Sequence, residues 1–276
     1  MDRNFEIIDF HTHPFLYPDD NICRYKDHCA MTVQGILPDL RAAGISKLCG
    51  SVIRKREDVA AWQGVKPEDL SWWDVVHACN EEMLELGRIL GPAYVPGMMV
   101  HPGYVAQSLA EMETLYAQGV RLVGELVPYS HGWEDYACPG FSKLLDAAQD
   151  LGMVVSIHSM GEDAMDVMAD AHPGCTIVFA HPGEAPAVTR HIARLHKSGN
   201  FYLDLSGTGL FRHGVLRALI DQVGAERILF GTDYPICNPY MYVGGVGLDP
   251  LLSEGEKAAV FSGNVRRLFA RFGLEV

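Results

Sequence analysis

Residues 141–158, Phe-Ser-Lys-Leu-Leu-Asp-Ala-Ala-Gln-Asp-Leu-Gly-Met-Val-Val-Ser-Ile-His, decide the fold. Phe141–Leu151 carries apolar side chains at helical spacing, Gly152 suits the left-handed residue that ends a helix, and Met153–Ile157 is a short β-branched run. The unit is therefore helix, cap, strand, and it ends on a polar His158.

The same unit recurs outward in both directions. Strands are expected at Glu6–Phe10, Lys47–Ile53, Tyr94–Val100, Val120–Val127, Met153–Ile157, Thr176–Ala180, Asn200–Leu205 and Arg227–Phe230. Between them helices are expected at Val33–Ala43, Asp74–Leu90, Val105–Gln118, Phe141–Leu151, Asp163–Asp170, Glu184–His196, Arg212–Val223 and Glu254–Arg271. Alternating β and α units with apolar strands imply a parallel sheet covered by helices, and eight units fit a closed α/β barrel, the (β/α)8 TIM barrel, better than an open doubly wound sheet. No linker divides the chain, so one domain over residues 1–276 is expected. Two loops exceed what a barrel needs, Pro14–Met31 after the first strand and Pro235–Leu252 after the eighth. Both follow strand carboxyl ends, the face where barrel sites are built.

The chain of 276 residues is 48% hydrophobic and 21% charged, with a formal net charge of −13, which works against binding a phosphate backbone. No apolar run approaches the roughly 20 residues needed to span a bilayer. A cytoplasmic location is expected, with a small-molecule substrate, no nucleic acid and no membrane as partner; the oligomeric state stays open, with a homodimer as the candidate. Seven cysteines form no Cys-x-x-Cys pair, which disfavours a disulfide framework or a thiolate zinc site.

The chemistry gathers at the strand ends. Asp9-Phe10-His11-Thr12-His13-Pro14 puts two imidazoles two residues apart, on one face of a strand that Pro14 stops. Such a pair alone also occurs as core histidines. Glu125, His158, His181 and Asp233 end the fourth, fifth, sixth and eighth expected strands, so one rim would carry all six. Buried charges need partners, and a divalent cation is the simplest common one. Imidazoles with carboxylates suit zinc, with manganese or iron as alternatives, at one or two ions. Arg54, His101, Tyr129 and His131 follow strand ends too and are candidate substrate contacts, with Arg54 placed to pair with a carboxylate. Asp9 could orient a ligand from behind, whereas His77, His172, His191, His196 and His213 fall on or beside helices and are assigned no chemistry.

Phe10-His11-Thr12-His13, His158, His181-Pro182-Gly183, Gly231-Thr232-Asp233-Tyr234-Pro235 and Gly263-Asn264-Val265-Arg266-Arg267-Leu268-Phe269 together resemble the amidohydrolase superfamily. They are most similar to its branch of small metal-dependent hydrolases, the amidohydrolase 2 type, which also contains aminocarboxymuconate semialdehyde decarboxylase. The resemblance implies that His11, His13 and Asp233 hold one metal, that His158 is a further ligand, and that His181 holds a second metal or orients the catalytic water. A fourth-strand Glu125 resembles TatD-like deoxyribonucleases and other two-metal members. The expected function is metal-dependent hydrolysis of an amide, ester or lactone, in which Asp233 and His181 handle the proton and the water. The alternatives are a metal-dependent decarboxylase, a nuclease disfavoured by the net charge, and a barrel that binds without turnover.

Overall fold

A computed structural model describes residues 5–19, 21–29 and 31–276. Eight strands run parallel in chain order in one sheet: β1 (Ile8–Thr12), β2 (Lys47–Ser51), β3 (Tyr94–Met98), β4 (Leu122–Leu126), β5 (Val154–Ile157), β6 (Thr176–Phe179), β7 (Phe201–Asp204) and β8 (Ile228–Leu229). Hydrogen bonds from Phe10 N–H to the Phe230 carbonyl (2.8 Å) and from Asp233 N–H to the His11 carbonyl (2.8 Å) join the last strand to the first. The sheet is thus closed as a (β/α)8 barrel, with helices between its strands.

Two apolar layers hold it. The larger packs the outward strand side chains, such as Leu48, Val123, Val155 and Phe179, against helical Leu40, Met83, Leu144 and Leu219. The smaller collects Ile8, Phe10, Cys49, Val95, Leu122, Val154, Val178 and Leu229 with Val265, Leu268, Phe269 and Val276. Because it draws on strands all around the sheet, this second layer is the barrel interior, plugged from below by the last helix, Asn264–Ala270.

Several expected elements differ from the observed ones, most of all at the two ends of the barrel. β1 runs from Ile8 to Thr12, two residues later than expected, because its ladder with β2 starts at Ile8 opposite Lys47 and carries His11 and Thr12 inside it. β8 keeps only Ile228–Leu229, since the Phe230 N–H leaves the ladder for the Val260 carbonyl (3.1 Å). That inserted donor coincides with a π-helical segment, Ala259–Gly263, which splits the expected Glu254–Arg271 helix into Glu254–Ala258 and Asn264–Ala270. Helices Arg56–Gln63 and Pro239–Gly247 were not expected. The second lies inside the loop expected at Pro235–Leu252; its Asn238 cap and first-turn Pro239 start it although Gly244, Gly245 and Gly247 weaken it.

Candidate metal centre

Strand parity sets which side chains enter the barrel mouth. With Leu122, Val154, Val178, Tyr202 and Leu229 packed in the interior layer, every second residue beyond them should also point inward. His158 just past β5, Asp204 on β7 with Ser206 just past it, and Asp233 beyond β8 obey that rule. His11, Glu125 and His181 break it by one residue, and each break coincides with a backbone irregularity.

On β1 the pairing steps from Asp9–Leu48 to Thr12–Gly50, three residues against two. On β4 it steps from Val123–Val155 to Leu126–Ile157, again three against two. An extra residue in a strand reverses its parity and re-aims the side chains beyond it. His181 is turned instead by a left-handed backbone, φ 64°, a strained conformation for a non-glycine residue. Gly207 makes room for it: a Cβ there would lie 2.3 Å from His181 Nδ1. Asp233, also left-handed at φ 65°, sits beside Gly231, where a Cβ would come within 2.8 Å of the His11 Cβ.

The six side chains converge. His11 Nε2, His13 Nε2 and Glu125 Oε2 lie 3.3 Å from one another, and Asp233 Oδ1 lies 3.7 Å from His11 Nε2 and 3.4 Å from His13 Nε2. A tetrahedral ion with bonds of ~2.0–2.1 Å has ligand edges of about 3.3–3.4 Å, so these atoms frame a volume of the right size for a divalent cation. Across the same carboxylate, Glu125 Oε1 lies 3.0 Å from His158 Nδ1 and 3.3 Å from His181 Nε2, and those two nitrogens are 3.1 Å apart. Glu125 thus faces two donor sets, one with each oxygen.

The imidazoles are held from behind. His11 Nδ1 meets Asp204 Oδ2 at 2.9 Å, His13 Nδ1 donates to the Ser51 carbonyl at 3.0 Å, and Ser206 Oγ lies 3.0 Å from His181 Nδ1. Each contact occupies one ring nitrogen and leaves Nε2 for the centre. Asp9 does not orient a ring; it accepts the His11 N–H (3.1 Å) and the Thr232 N–H (3.0 Å), tying β1 to the segment carrying Asp233.

Charge in the cluster runs the same way. Burial pushes the His13 imidazole down, but the hydrogen bonds it donates to Asp233 and Glu125 outweigh that and its pKa rises to about 9. Burial works against ionised Glu125, yet the charges of His11 and His158 hold its carboxyl well below the usual range. Buried carboxylates here draw positive charge onto the imidazoles, and a divalent cation meets the same field. No Lys or Arg pairs with Glu125, Asp204 or Asp233 among the described residues.

A cavity of about 590 Å³ opens over this cluster, lined by His13, Glu125, His158, His181 and Asp233 below and by Ile22, Ile53, Val127, Tyr129 and Ile236 on its walls. Tyr129 stands edge-on to His158, ring centroids 5.4 Å apart. Three expected substrate contacts are elsewhere and are corrected. Arg54 is fully buried in ion pairs with Asp19 and Glu82, whose carboxylates consume its guanidinium. His101 is buried with Nε2 on the His131 carbonyl (2.8 Å) and lines a separate cavity beside Trp133. His131 is buried next to it and lines neither. Asp204 and Ser206 were missed in the sequence, although the end of the seventh strand offers a carboxylate by the rule that found Asp233.

Comparison with known proteins agrees with this geometry. A family model described as amidohydrolase matches residues 8–271. None of the curated proteins matches the sequence. Among solved structures, the chain is similar to 2,6-dihydroxybenzoate decarboxylase from Rhizobium, with a TM-score of 0.70 at 16% identity over 97% of this chain and 99% of that one. It is also similar to a dihydroxybenzoic acid decarboxylase from Polaromonas with bound manganese and 2-nitroresorcinol, TM-score 0.66 at 16% identity over 96% and 97%. A third is a probable 2-pyrone-4,6-dicarboxylic acid hydrolase from Acinetobacter baumannii with citric acid bound, TM-score 0.65 at 14% identity over 96% and 100%. At such identities the structures share the fold; the family match, spanning the barrel from β1 into the last helix with the donor cluster inside it, carries the conclusion that this chain belongs to the amidohydrolase family of enzymes.

Proposed function

We propose that the cavity hydrolyses a small carbonyl compound, an amide, ester or lactone, with two divalent ions held by His11, His13, Glu125, His158, His181 and Asp233. The observation that carries this reading is Glu125, whose two oxygens each approach imidazoles of a different set at 3.0–3.3 Å. A carboxylate so placed suits a bridging ligand, and the neutral nitrogen and carboxylate donors suit zinc, with manganese and iron as the alternatives. Divalent ions there would acidify a bound water and polarise the carbonyl oxygen of the substrate. Asp233 stands at the cavity floor, where its free carboxylate oxygen accepts the proton that the water loses and returns it to the leaving atom. His181, fixed by Ser206, directs Nε2 to the same floor and orients the water. Tyr129 and the apolar wall would contact the body of the substrate.

Decarboxylation is the second reading, favoured by the neighbours named for that reaction. There a substrate carboxylate leaves as carbon dioxide and Asp233 delivers a proton to the carbon left behind. Elemental analysis of the wild type and of Glu125→Gln separates the two. Hydrolysis predicts two ions per chain falling to one or fewer, with activity lost and label from 18O-water entering the product. A single ion retained by Glu125→Gln, with carbon dioxide released and no label incorporated, would sink the hydrolase reading.

A further inference from the structure

We infer that Arg24 is the anion anchor of this cavity, taking a carboxylate carried on the non-reacting end of the substrate. The inference rests on the cavity being the reaction site proposed above and names the class of substrate it takes, a small carboxylic acid with an apolar body. Arg24 borders the cavity of about 590 Å³ over the donor cluster and also a neighbouring one of about 510 Å³, walled by Tyr25, Tyr234 and Tyr240. The two share Asn21, Ile22, Arg24, Ile236 and Cys237, so Arg24 stands where they meet. It is the one Lys or Arg among the described residues lining either of them.

Its guanidinium is exposed and makes no hydrogen bond or ion pair with any described residue. That sets it apart from Arg54, Arg194 and Arg217, whose charges are met by carboxylates of the chain itself. Its backbone is nonetheless fixed. The Asp19 carboxylate, clamped by Arg54, accepts the N–H groups of Asn21 (2.7 Å) and Ile22 (3.0 Å), and the Asp19 carbonyl accepts that of Cys23 (3.0 Å). Ile22 and Cys23 are buried beneath the turn. A planar fork of donors therefore stands on a fixed backbone at the mouth, without a partner among the described residues and matched in geometry to a carboxylate.

The walls fix the rest of the ligand. The cavity that Arg24 shares with the cluster is also lined by Ile22, Ile53, Val127 and Ile236, which suit an aryl or alkyl body. The ions proposed at the floor take the reacting group, so an anionic group on the other end of the ligand meets Arg24, the one Lys or Arg among the described lining residues.

Calorimetric titration of the metal-loaded protein with isophthalate and with benzoate tests this, since benzoate keeps the carboxylate for the metal end and lacks the one that reaches Arg24. A charge-assisted pair predicts that isophthalate binds the wild type about 10–100-fold more tightly than benzoate. Arg24→Met should bring that ratio close to one without weakening benzoate, and Arg24→Lys should keep part of it. Arg24 has no partner among the described residues, so both variants should fold with unchanged Tm. A ratio near one in the wild type, an unchanged ratio in Arg24→Met, or equal weakening of both ligands would overturn the assignment, as would a preference for phenylphosphonate over benzoate. Metal content of the same samples keeps the two readings apart: a chain that holds no ion fails the hydrolase reading, while an Arg24-dependent ratio would still stand.

Discussion

Two buried polar clusters lie at the carboxyl end of the barrel, and they solve the same electrostatic problem in opposite ways. In one, the guanidinium of Arg54 meets Asp19 and Glu82, and Glu82 also accepts the Leu16 N–H (2.7 Å), so the chain brings its own cation and uses it to fasten the long β1 loop. In the other, Glu125, Asp204 and Asp233 face imidazoles and no Lys or Arg among the described residues. The first cluster is complete without any ligand. The second has its charges arranged around a volume that suits a cation from outside. A cluster that neutralises itself is a structural fastening, whereas one left with surplus carboxylates around an open cavity is a place for chemistry.

Substitutions should separate the two cleanly. Asp233→Asn keeps the size of the side chain and removes its capacity to carry a proton, so turnover should fall about 10²–10⁴-fold with little change in Tm. Unchanged kcat in a metal-replete sample would break the contrast at its catalytic end. Arg54→Met should do the reverse. It strands two buried carboxylates, so stability should drop by about 3–5 kcal/mol. For a chain of this size that is a fall in Tm on the order of 10 °C. The metal content of the folded fraction should be unchanged, and adding Asp19→Asn and Glu82→Gln should recover much of the loss. If Arg54→Met instead left Tm intact and raised KM alone, Arg54 would be a substrate contact after all.

Which of these residues could be read from sequence follows from what each depends on. The barrel was legible because alternation of apolar strands with glycine-capped helices is local, as in Phe141–His158. The rim was legible because Glu125, His158, His181 and Asp233 each close an apolar run. Parity was not: His11, Glu125 and His181 are out of phase with the interior residues of their own strands, and only the two extra-residue steps and one left-handed backbone, set by pairing with neighbouring strands, turn them inward. Arg54 was misread for a related reason. Its position after β2 is a rim position, but the loop and helix that bring Asp19 and Glu82 to it come from 35 residues before and 28 after. Asp204 was within reach of the same rule that found Asp233 and was passed over because Asn200–Leu205 reads as an ordinary apolar strand.

Asp204 supplies a gentler test of the contrast. It touches the centre through His11 Nδ1 at 2.9 Å and reaches His181 by way of Ser206, so Asp204→Asn should lower metal affinity about 10–100-fold while the barrel stays folded, because an amide still fills the site but no longer holds the ring by charge. Competition with a chelator, read by metal retained per chain, measures it. Loss of folding rather than of affinity would move Asp204 into the structural class beside Arg54.

The smallest effect concerns an imidazole that belongs to neither cluster. His131 is buried with no carboxylate beside it and its Nε2 has no hydrogen-bond partner among the described residues, and burial, aided by neighbouring His101, pushes its pKa down to about 4. His11, His13 and His181, which face carboxylates, shift the other way. In the unfolded chain His131 titrates near its ordinary value, so between about pH 4 and 6.5 the unfolded state binds a proton that the native state refuses. Stability contributed by neutral His131 is therefore fully present above about pH 6.5 and is lost as the pH falls toward 4. From pH 6.5 to 5.0 the loss is about 1.5 kcal/mol from this residue. Urea unfolding of the metal-loaded wild type and of His131→Gln at both pH values isolates it, because every other group titrates in both proteins. The variant should show a shallower fall by that amount; identical slopes would mean that His131 is already solvated in the native state, and that the absence of a carboxylate beside it has no energetic consequence.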